Sequence, residues 1–170
     1  DVAFSLMLVE HLSQYANLDM TRVYAMGFSN GSGIIHKMAV EASPFRAIAG
    51  FASPLLEGAE PTQSTGRVSV LQMHDVDDEV IPYEGGFSPA TGHTFMSAEE
   101  SAATWASHND CGSEPESSML NGEHTVLTYS GCAQGTEVIH IRTVGAGHGT
   151  PQDLEGGSVG VAWDFFQRQQ

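Results

Sequence analysis

A serine between two glycines, in the run Gly27-Phe28-Ser29-Asn30-Gly31, is the feature of this sequence with the clearest chemical meaning. Residues 22–26 before it are typical of a strand, and residues 33–41 after it are compatible with a helix. In that context the pattern G-x-S-x-G forms a sharp turn that projects the serine hydroxyl from the sheet, beside a helix N-terminus that favours an oxyanion. The pattern predicts that Ser29 is a nucleophile, although a polar turn can also match five residues by chance.

A serine hydroxyl is a weak nucleophile, so this hypothesis requires a general base and an acid that orients the base. The chain contains eight histidines, and His148, in a glycine-rich loop after a predicted strand, has the most favourable context. A second loop after a predicted strand supplies three aspartates, Asp75, Asp77 and Asp78. Spacing alone does not choose among these three acids.

The acidic loop also has a metal-binding interpretation. Asp75, Asp77 and Glu79 match the spacing of the first calcium ligands in an EF-hand loop. However, Val80 stands where that loop needs a glycine, and Gly86 stands where it needs a glutamate. The sequence therefore predicts no metal ion and no cofactor.

Taken together, these segments resemble the polyhydroxybutyrate depolymerase / feruloyl esterase family of secreted α/β-hydrolase esterases. The resemblance extends over nearly the whole chain, in the order of the family's motifs. The matching segments are residues 22–31, 74–83 and 145–148, with a paired-cysteine region at residues 105–111 and 129–132. The resemblance implies a serine carboxylesterase that hydrolyses short-acyl, hydroxycinnamoyl or polyester-type esters.

The resemblance also implies roles for individual residues. Ser29 matches the family's nucleophile and His148 its base. In the pattern His-Gly-x-x-Asp-x-x-Val-Pro-Tyr the aspartate falls on Asp78, which becomes the orienting acid. The backbone N–H of Asn30 is implied as one donor of the oxyanion hole.

The chain departs from the family in three places. An aromatic residue is common shortly after the family's histidine, whereas Gly149 and Thr150 follow His148 here, and Asp75 stands where the family has a glycine. The family also has several strands and a second oxyanion donor before the elbow, whereas this sequence starts on the helix that precedes the nucleophile strand. Losing one such donor can reduce turnover by ~100- to 1000-fold. The alternative hypothesis is therefore a catalytically weak or inactive remnant that binds carbohydrate or polymer.

The two cysteines, Cys111 and Cys132, form either a disulfide or two separate buried thiols. The resemblance favours the disulfide and an oxidising compartment, and it implies a secreted, extracellular or periplasmic protein.

The charge restricts the class of partner. The chain has 21 acidic and six basic residues, for a net charge of −15, which disfavours nucleic acid and anionic membrane surfaces. From this sequence we expect no apolar run long enough to span a bilayer and no signal peptide, so a leader would have been removed or lie outside this sequence if the protein is secreted. A neutral ester, small or polymeric, is the substrate that this composition suits.

Strands and helices alternate in the prediction, which indicates a single α/β domain over residues 1–170. We expect a truncated, minimal α/β-hydrolase fold with a mostly parallel sheet flanked by helices. Predicted helices span residues 2–15, 33–41, 98–107 and 158–167, and predicted strands span residues 23–28, 47–51, 68–73, 125–129 and 138–144. Ser97 is expected to cap the third helix, residues 112–122 to form a loop, and Trp163, Phe165 and Phe166 to pack in the core.

The nucleophile strand raises a question of assembly. Its residues Val23, Tyr24, Ala25 and Met26 are typical of a strand buried on both faces, and an unpaired edge of that kind promotes aggregation. We therefore expect the edge to be covered by a second copy of the chain or by the helix of residues 2–15, and a homodimer is the favoured alternative.

Overall fold

The computed structural model describes residues 2–42 and 44–169. Its helices are α1 (Val2–Leu12), α2 (Asn30–Glu41), α3 (Ala98–His108) and α4 (Gly157–Arg168), with a short 3₁₀ helix at Ala133–Gly135. Its strands are β1 (Tyr24–Phe28), β2 (Ala47–Phe51), β3 (Ser69–Asp75), β4 (Gly86–Ser88), β5 (His93–Phe95), β6 (Glu116–Leu120), β7 (His124–Tyr129) and β8 (Val138–Thr143).

A six-stranded sheet with the order β1-β2-β3-β8-β7-β6 forms the centre of the structure. β1, β2, β3 and β8 run parallel, whereas β7 and β6 are antiparallel to their neighbours. Because the four parallel strands point the same way, their carboxyl ends meet at one edge of the sheet, where ligands bind in open α/β sheets. The loops after β1, β3 and β8 therefore face a common space.

Hydrophobic side chains cover both faces of this sheet. On one face, Ile48 and Val70 pack with α2 and with Trp105 of α3. On the other face, Leu71 packs with Phe165 of α4. Alternate residues of each strand thus enter opposite cores, as the period of two in a strand requires. The mostly parallel α/β architecture that the sequence predicts is confirmed.

Several predicted elements change at their boundaries. β2 begins and ends where the sequence predicts, and Ser97 caps α3 by accepting a hydrogen bond from the N–H of Glu100 at 3.2 Å. The helix predicted over residues 2–15 ends at Leu12. The interpretation of residues 112–122 as a loop is wrong, since β6 pairs with β7 there. Its polar, exposed side chains give little signal of a strand.

The prediction that the nucleophile strand is buried on both faces is also wrong. β1 lies at the edge of the six-stranded sheet, and Met26 and Phe28 are 46% and 44% exposed. The core prediction for the last helix holds for Phe165 and Phe166 but not for Trp163, which is 56% exposed. Within the six-stranded sheet, β1 has a neighbouring strand, β2, on one side only. Its side chains therefore have fewer packing partners than those of an interior strand.

A disulfide joins Cys111, just after α3, to Cys132, between β7 and β8. It lies at the edge of the sheet where β3 and β8 begin, opposite the edge where they end. None of the helices within residues 2–42 and 44–169 combines the length and the hydrophobicity that spanning a bilayer requires.

Candidate active site

Ser29 occupies the turn between β1 and α2 in a strained backbone conformation. Its φ and ψ are 54° and −121°, a region that non-glycine residues rarely adopt. The N–H of Ser29 donates to the carbonyl of Phe51 at 2.8 Å, which ties the turn to the end of β2. A side chain at Gly27 would overlap the carbonyl of Gly31, so the first glycine of the pattern is a steric requirement of the turn.

His148, in the loop after β8, lies directly against Ser29. Its Nε2 is 2.8 Å from the Oγ of Ser29, and its Nδ1 is 2.9 Å from the Oδ2 of Asp78. A carboxylate only accepts hydrogen bonds, so Nδ1 donates and Nε2 is left to accept a proton from the serine hydroxyl. This is the arrangement in which an imidazole acts as a general base.

The side chain of Asp78 has no exposed surface, and its carboxylate accepts four hydrogen bonds, including the one from His148. Its Oδ1 accepts the N–H groups of Val80 and Ile81 at 2.8 and 2.9 Å, and its Oδ2 also binds Nε2 of His74 at 3.1 Å. Burial alone would raise the pKa of this carboxyl, but the hydrogen bonds from the two histidines and the two backbone N–H groups outweigh it and lower the pKa to about 2.

The structure distinguishes the three aspartates that spacing left open. Asp78 is the one whose carboxylate contacts His148. Asp77 is exposed and accepts the N–H of Gly145 at 3.3 Å. Asp75 is buried, and its carboxylate accepts hydrogen bonds from the strand end and the turn that precede His148. In the sequence, Asp75 stood out as one of three candidate acids, as a possible calcium ligand and as a residue in place of the family's glycine, and none of these signals indicated the contact with the turn.

Asn30 is the first residue of α2, and its side chain is exposed. The first N–H groups of a helix have no partner within the helix, so the N–H of Asn30 is available at the positive end of the helix dipole. Because Asn30 directly follows Ser29 in the chain, its N–H is a candidate donor to an oxyanion formed at Ser29.

Phe28 places an aromatic ring beside the candidate base. Its ring centroid lies 5.3 Å from that of His148, and its side chain remains 44% exposed. The aromatic residue that is common after the family's histidine is missing here, where Gly149 and Thr150 follow His148. The aromatic contact comes instead from the residue before Ser29.

The residues of the candidate calcium loop have other roles. The carboxylate of Asp75 accepts hydrogen bonds from backbone and hydroxyl donors, and Glu79 is exposed. Within residues 2–42 and 44–169, no group of three or more His, Cys, Asp or Glu side chains is arranged to hold a metal ion.

An open groove of about 980 Å³ lies away from these residues, between residues 61–67 and α3. Its lining includes Thr62, Gln63, Arg67 and Glu100. Arg67 stands just before β3, so the groove lies towards the edge of the sheet opposite Ser29.

No protein-family model matches the chain. It is 26% identical to feruloyl esterase B of Piromyces equi over 99% of this chain and 31% of that protein. It is 29% identical to feruloyl esterase C of Emericella nidulans, over 98% of this chain and 57% of that protein. It is 24% identical to a bifunctional acetylxylan esterase/xylanase of Neocallimastix patriciarum, over 99% of this chain and 23% of that protein.

The chain thus spans from about a quarter to somewhat more than half of the length of these curated relatives. The relatedness to polyhydroxybutyrate depolymerases stays a prediction. Over nearly all of its residues, the chain is similar to proteins named feruloyl esterase and acetylxylan esterase.

Proposed function

We propose that this chain is a single catalytic domain of a serine carboxylesterase. The observation that supports the proposal most is the continuous line of hydrogen bonds from Ser29 through His148 to Asp78, at 2.8 and 2.9 Å. The similarity to proteins named as esterases supports the same reaction class.

In the proposed reaction, Oγ of Ser29 attacks the ester carbonyl while its proton passes to Nε2 of His148. Asp78 holds the Nδ1–H and stabilises the imidazolium, and the N–H of Asn30 stabilises the oxyanion. The carbon–oxygen bond to the alcohol then breaks as His148 returns the proton to the leaving oxygen. Water, deprotonated by His148, attacks the acyl-enzyme and releases the acid and free Ser29.

The proposed substrates are esters of short acyl or hydroxycinnamic acids, or polyesters of related chemistry. The names of the relatives support the first two groups. Exposure of Phe28 and Asn30 around Ser29 supports an open site, which suits small or extended esters better than long buried acyl chains. Hydrolysis rates across acyl lengths, with methyl ferulate included, test this proposal, and a sharp preference for chains beyond about ten carbons contradicts it.

The direct test replaces Ser29 with alanine. Ser29→Ala is expected to keep its fold and lose nearly all hydrolysis of p-nitrophenyl esters. Ser118→Ala, which removes an exposed hydroxyl from β6, is the matched control and is expected to keep full activity. Undiminished hydrolysis by Ser29→Ala contradicts the proposal.

A catalytically weak, polymer-binding remnant is the second candidate, and the open groove that Arg67 and Glu100 help to line favours it. A fluorophosphonate probe distinguishes the two, because it labels only an activated serine. Labelling of Ser29 supports the esterase, and binding to xylan or polyester without labelling supports the remnant.

A homodimer is proposed for assembly. β1 lies at the sheet edge, where Met26 and Phe28 are partly exposed, and Phe4 and Met7 of α1 are 71% and 68% exposed. A second copy would cover this apolar edge. A stable monomer in light scattering at micromolar concentration, with full activity, contradicts the dimer.

The disulfide supports an oxidising, extracellular setting for the protein.

A further inference from the structure

Asp75 is the last residue of β3, and it has no exposed surface. Its carboxylate accepts four hydrogen bonds, two on each oxygen. Oδ2 binds Oγ1 of Thr143 at 2.9 Å and the N–H of Ala146 at 3.0 Å. Oδ1 binds the N–H of Gly147 and the N–H of Asp77, each at 3.1 Å. Within the described ranges, no Lys, Arg or His lies within salt-bridge distance of it.

Three of these four donors belong to the end of β8 and the turn that leads into His148. Gly145 and Gly147 in this turn have φ values of 78° and 58°. Glycine at such positions loses more conformational freedom on ordering than other residues do, so the turn is not rigid by itself. The Asp75 carboxylate accepts hydrogen bonds from the N–H groups of Ala146 and Gly147 and so holds the turn. Gly147 is the residue immediately before His148.

We propose that Asp75 is a positioning residue that acts through His148. It holds the turn that places the imidazole between Ser29 and Asp78. The inference rests on the proposed esterase function. It assigns separate tasks to two acids of one loop, since Asp78 orients the ring of His148 and Asp75 orients the backbone before it.

Asparagine at position 75 provides the sharpest test because it keeps the size of the side chain. One oxygen becomes an NH₂ group, which only donates. In one orientation the N–H of Gly147 then loses its acceptor, and in the other the N–H of Ala146 does. Either orientation releases part of the turn before His148. Glu79→Gln, which removes an exposed carboxylate from the same loop, is the matched control.

For Asp75→Asn we expect kcat/KM on p-nitrophenyl acetate to fall by ~10- to 100-fold, mainly through kcat, because displacing a catalytic group by a fraction of an ångström is costly. Rates are divided by the concentration of active sites that a fluorophosphonate titrates, which removes any contribution of unfolded protein. Glu79→Gln is expected to remain within about twofold of the unmodified protein. The proton resonance of the His148–Asp78 hydrogen bond is expected to broaden or shift in Asp75→Asn only.

The same substitution in a His148→Ala background separates positioning from general stability. If Asp75 acts through His148, Asp75→Asn causes no further loss of the residual hydrolysis there.

Thr143→Val replaces Asp75→Asn if the latter does not fold. It removes one of the four hydrogen bonds to Asp75, and a several-fold fall in kcat is expected. Unchanged kcat in the folded variant, or equal losses with and without His148, overturns the inference. An inactive Ser29→Ala beside a fully active Asp75→Asn rejects this inference alone, whereas an active Ser29→Ala rejects the esterase itself.

Discussion

His74 is hydrogen-bonded to Asp78 through the same carboxylate oxygen, Oδ2, that binds His148, with Nε2 of His74 at 3.1 Å. The carbonyl of Ile81 is 3.0 Å from the same Nε2. Both partners accept, so Nε2 of His74 donates. The His74 side chain is fully buried, and its Nδ1 has no hydrogen-bond partner among the described residues. The candidate acid is thus held between two imidazole rings.

We predict that His74→Phe lowers kcat/KM by about 10-fold while preserving most of the buried volume. The loss of one donor leaves Asp78 with fewer bonds to its charged form, so the pKa of Asp78 rises from about 2. Ester hydrolysis measured from pH 4 to 8 checks the rate, with His93→Phe, an exposed position on β5, as the control. Activity equal to that of the control contradicts a role for His74.

The two glycines of the G-x-S-x-G pattern are predicted to differ in their tolerance of alanine. A Cβ at Gly27 would overlap the carbonyl of Gly31, so Gly27→Ala is expected to prevent the elbow from forming and to yield little folded protein. A Cβ at Gly31 meets no atom within 4 Å, and Gly31 lies inside α2. Gly31→Ala is therefore expected to fold and to gain up to about 1 kcal/mol from helix propensity. Urea unfolding of both variants checks the contrast.

Acid stability is predicted to depend on His36. Burial lowers the pKa of this histidine from its ordinary 6.5 to about 4. Below pH 6.5 the unfolded chain binds a proton at His36, while the folded protein stays neutral there until about pH 4. The free energy of unfolding therefore falls as the pH is lowered through this window, by on the order of 3 kcal/mol.

The check is urea unfolding at several pH values for the unmodified protein and His36→Asn. An amide does not titrate, and its oxygen can still accept the hydrogen bond that Trp105 donates to Nδ1 of His36 at 3.1 Å. The variant is expected to be less sensitive to pH between about 6.5 and 4, whatever its stability at neutral pH. Burial also lowers the pKa of His140, to about 3, which accounts for part of the remaining slope. Parallel curves for the two proteins would refute the prediction.

Removing the disulfide is predicted to reduce stability without changing the chemistry. Cys111 and Cys132 are 21 residues apart, and the chain-entropy model assigns such a loop about 3 kcal/mol. The bond lies at the sheet edge opposite Ser29, so Cys111→Ser with Cys132→Ser should lower the melting temperature and leave kcat at low temperature nearly unchanged. A large fall in kcat in the folded variant would show that the disulfide also shapes the site.

Local patterns in the sequence were sufficient for much of the fold. The elbow at Ser29 and the Ser97 cap of α3 depend on residues within a few positions of one another, which the sequence displays directly. Strand β2 pairs with distant strands, but its short apolar run is itself typical of a buried strand. Alternation of strands and helices was likewise enough to predict a mostly parallel sheet. Strand β6 was not recognised, because its exposed polar residues become a strand only by pairing with β7.

By itself, the sequence determined which residue types were available for chemistry: a serine in an elbow, a histidine in a glycine-rich turn and three aspartates in one loop. The family resemblance pointed to Asp78 among the three aspartates, but the contacts themselves exist only in the tertiary structure, because Asp78 and His148 are 70 residues apart and Ser29 and His148 are 119 apart. The tertiary structure also showed that Asp75 bonds to the His148 turn and that β1 is an edge. Such relationships depend on how distant strands align, and no local pattern contains that information.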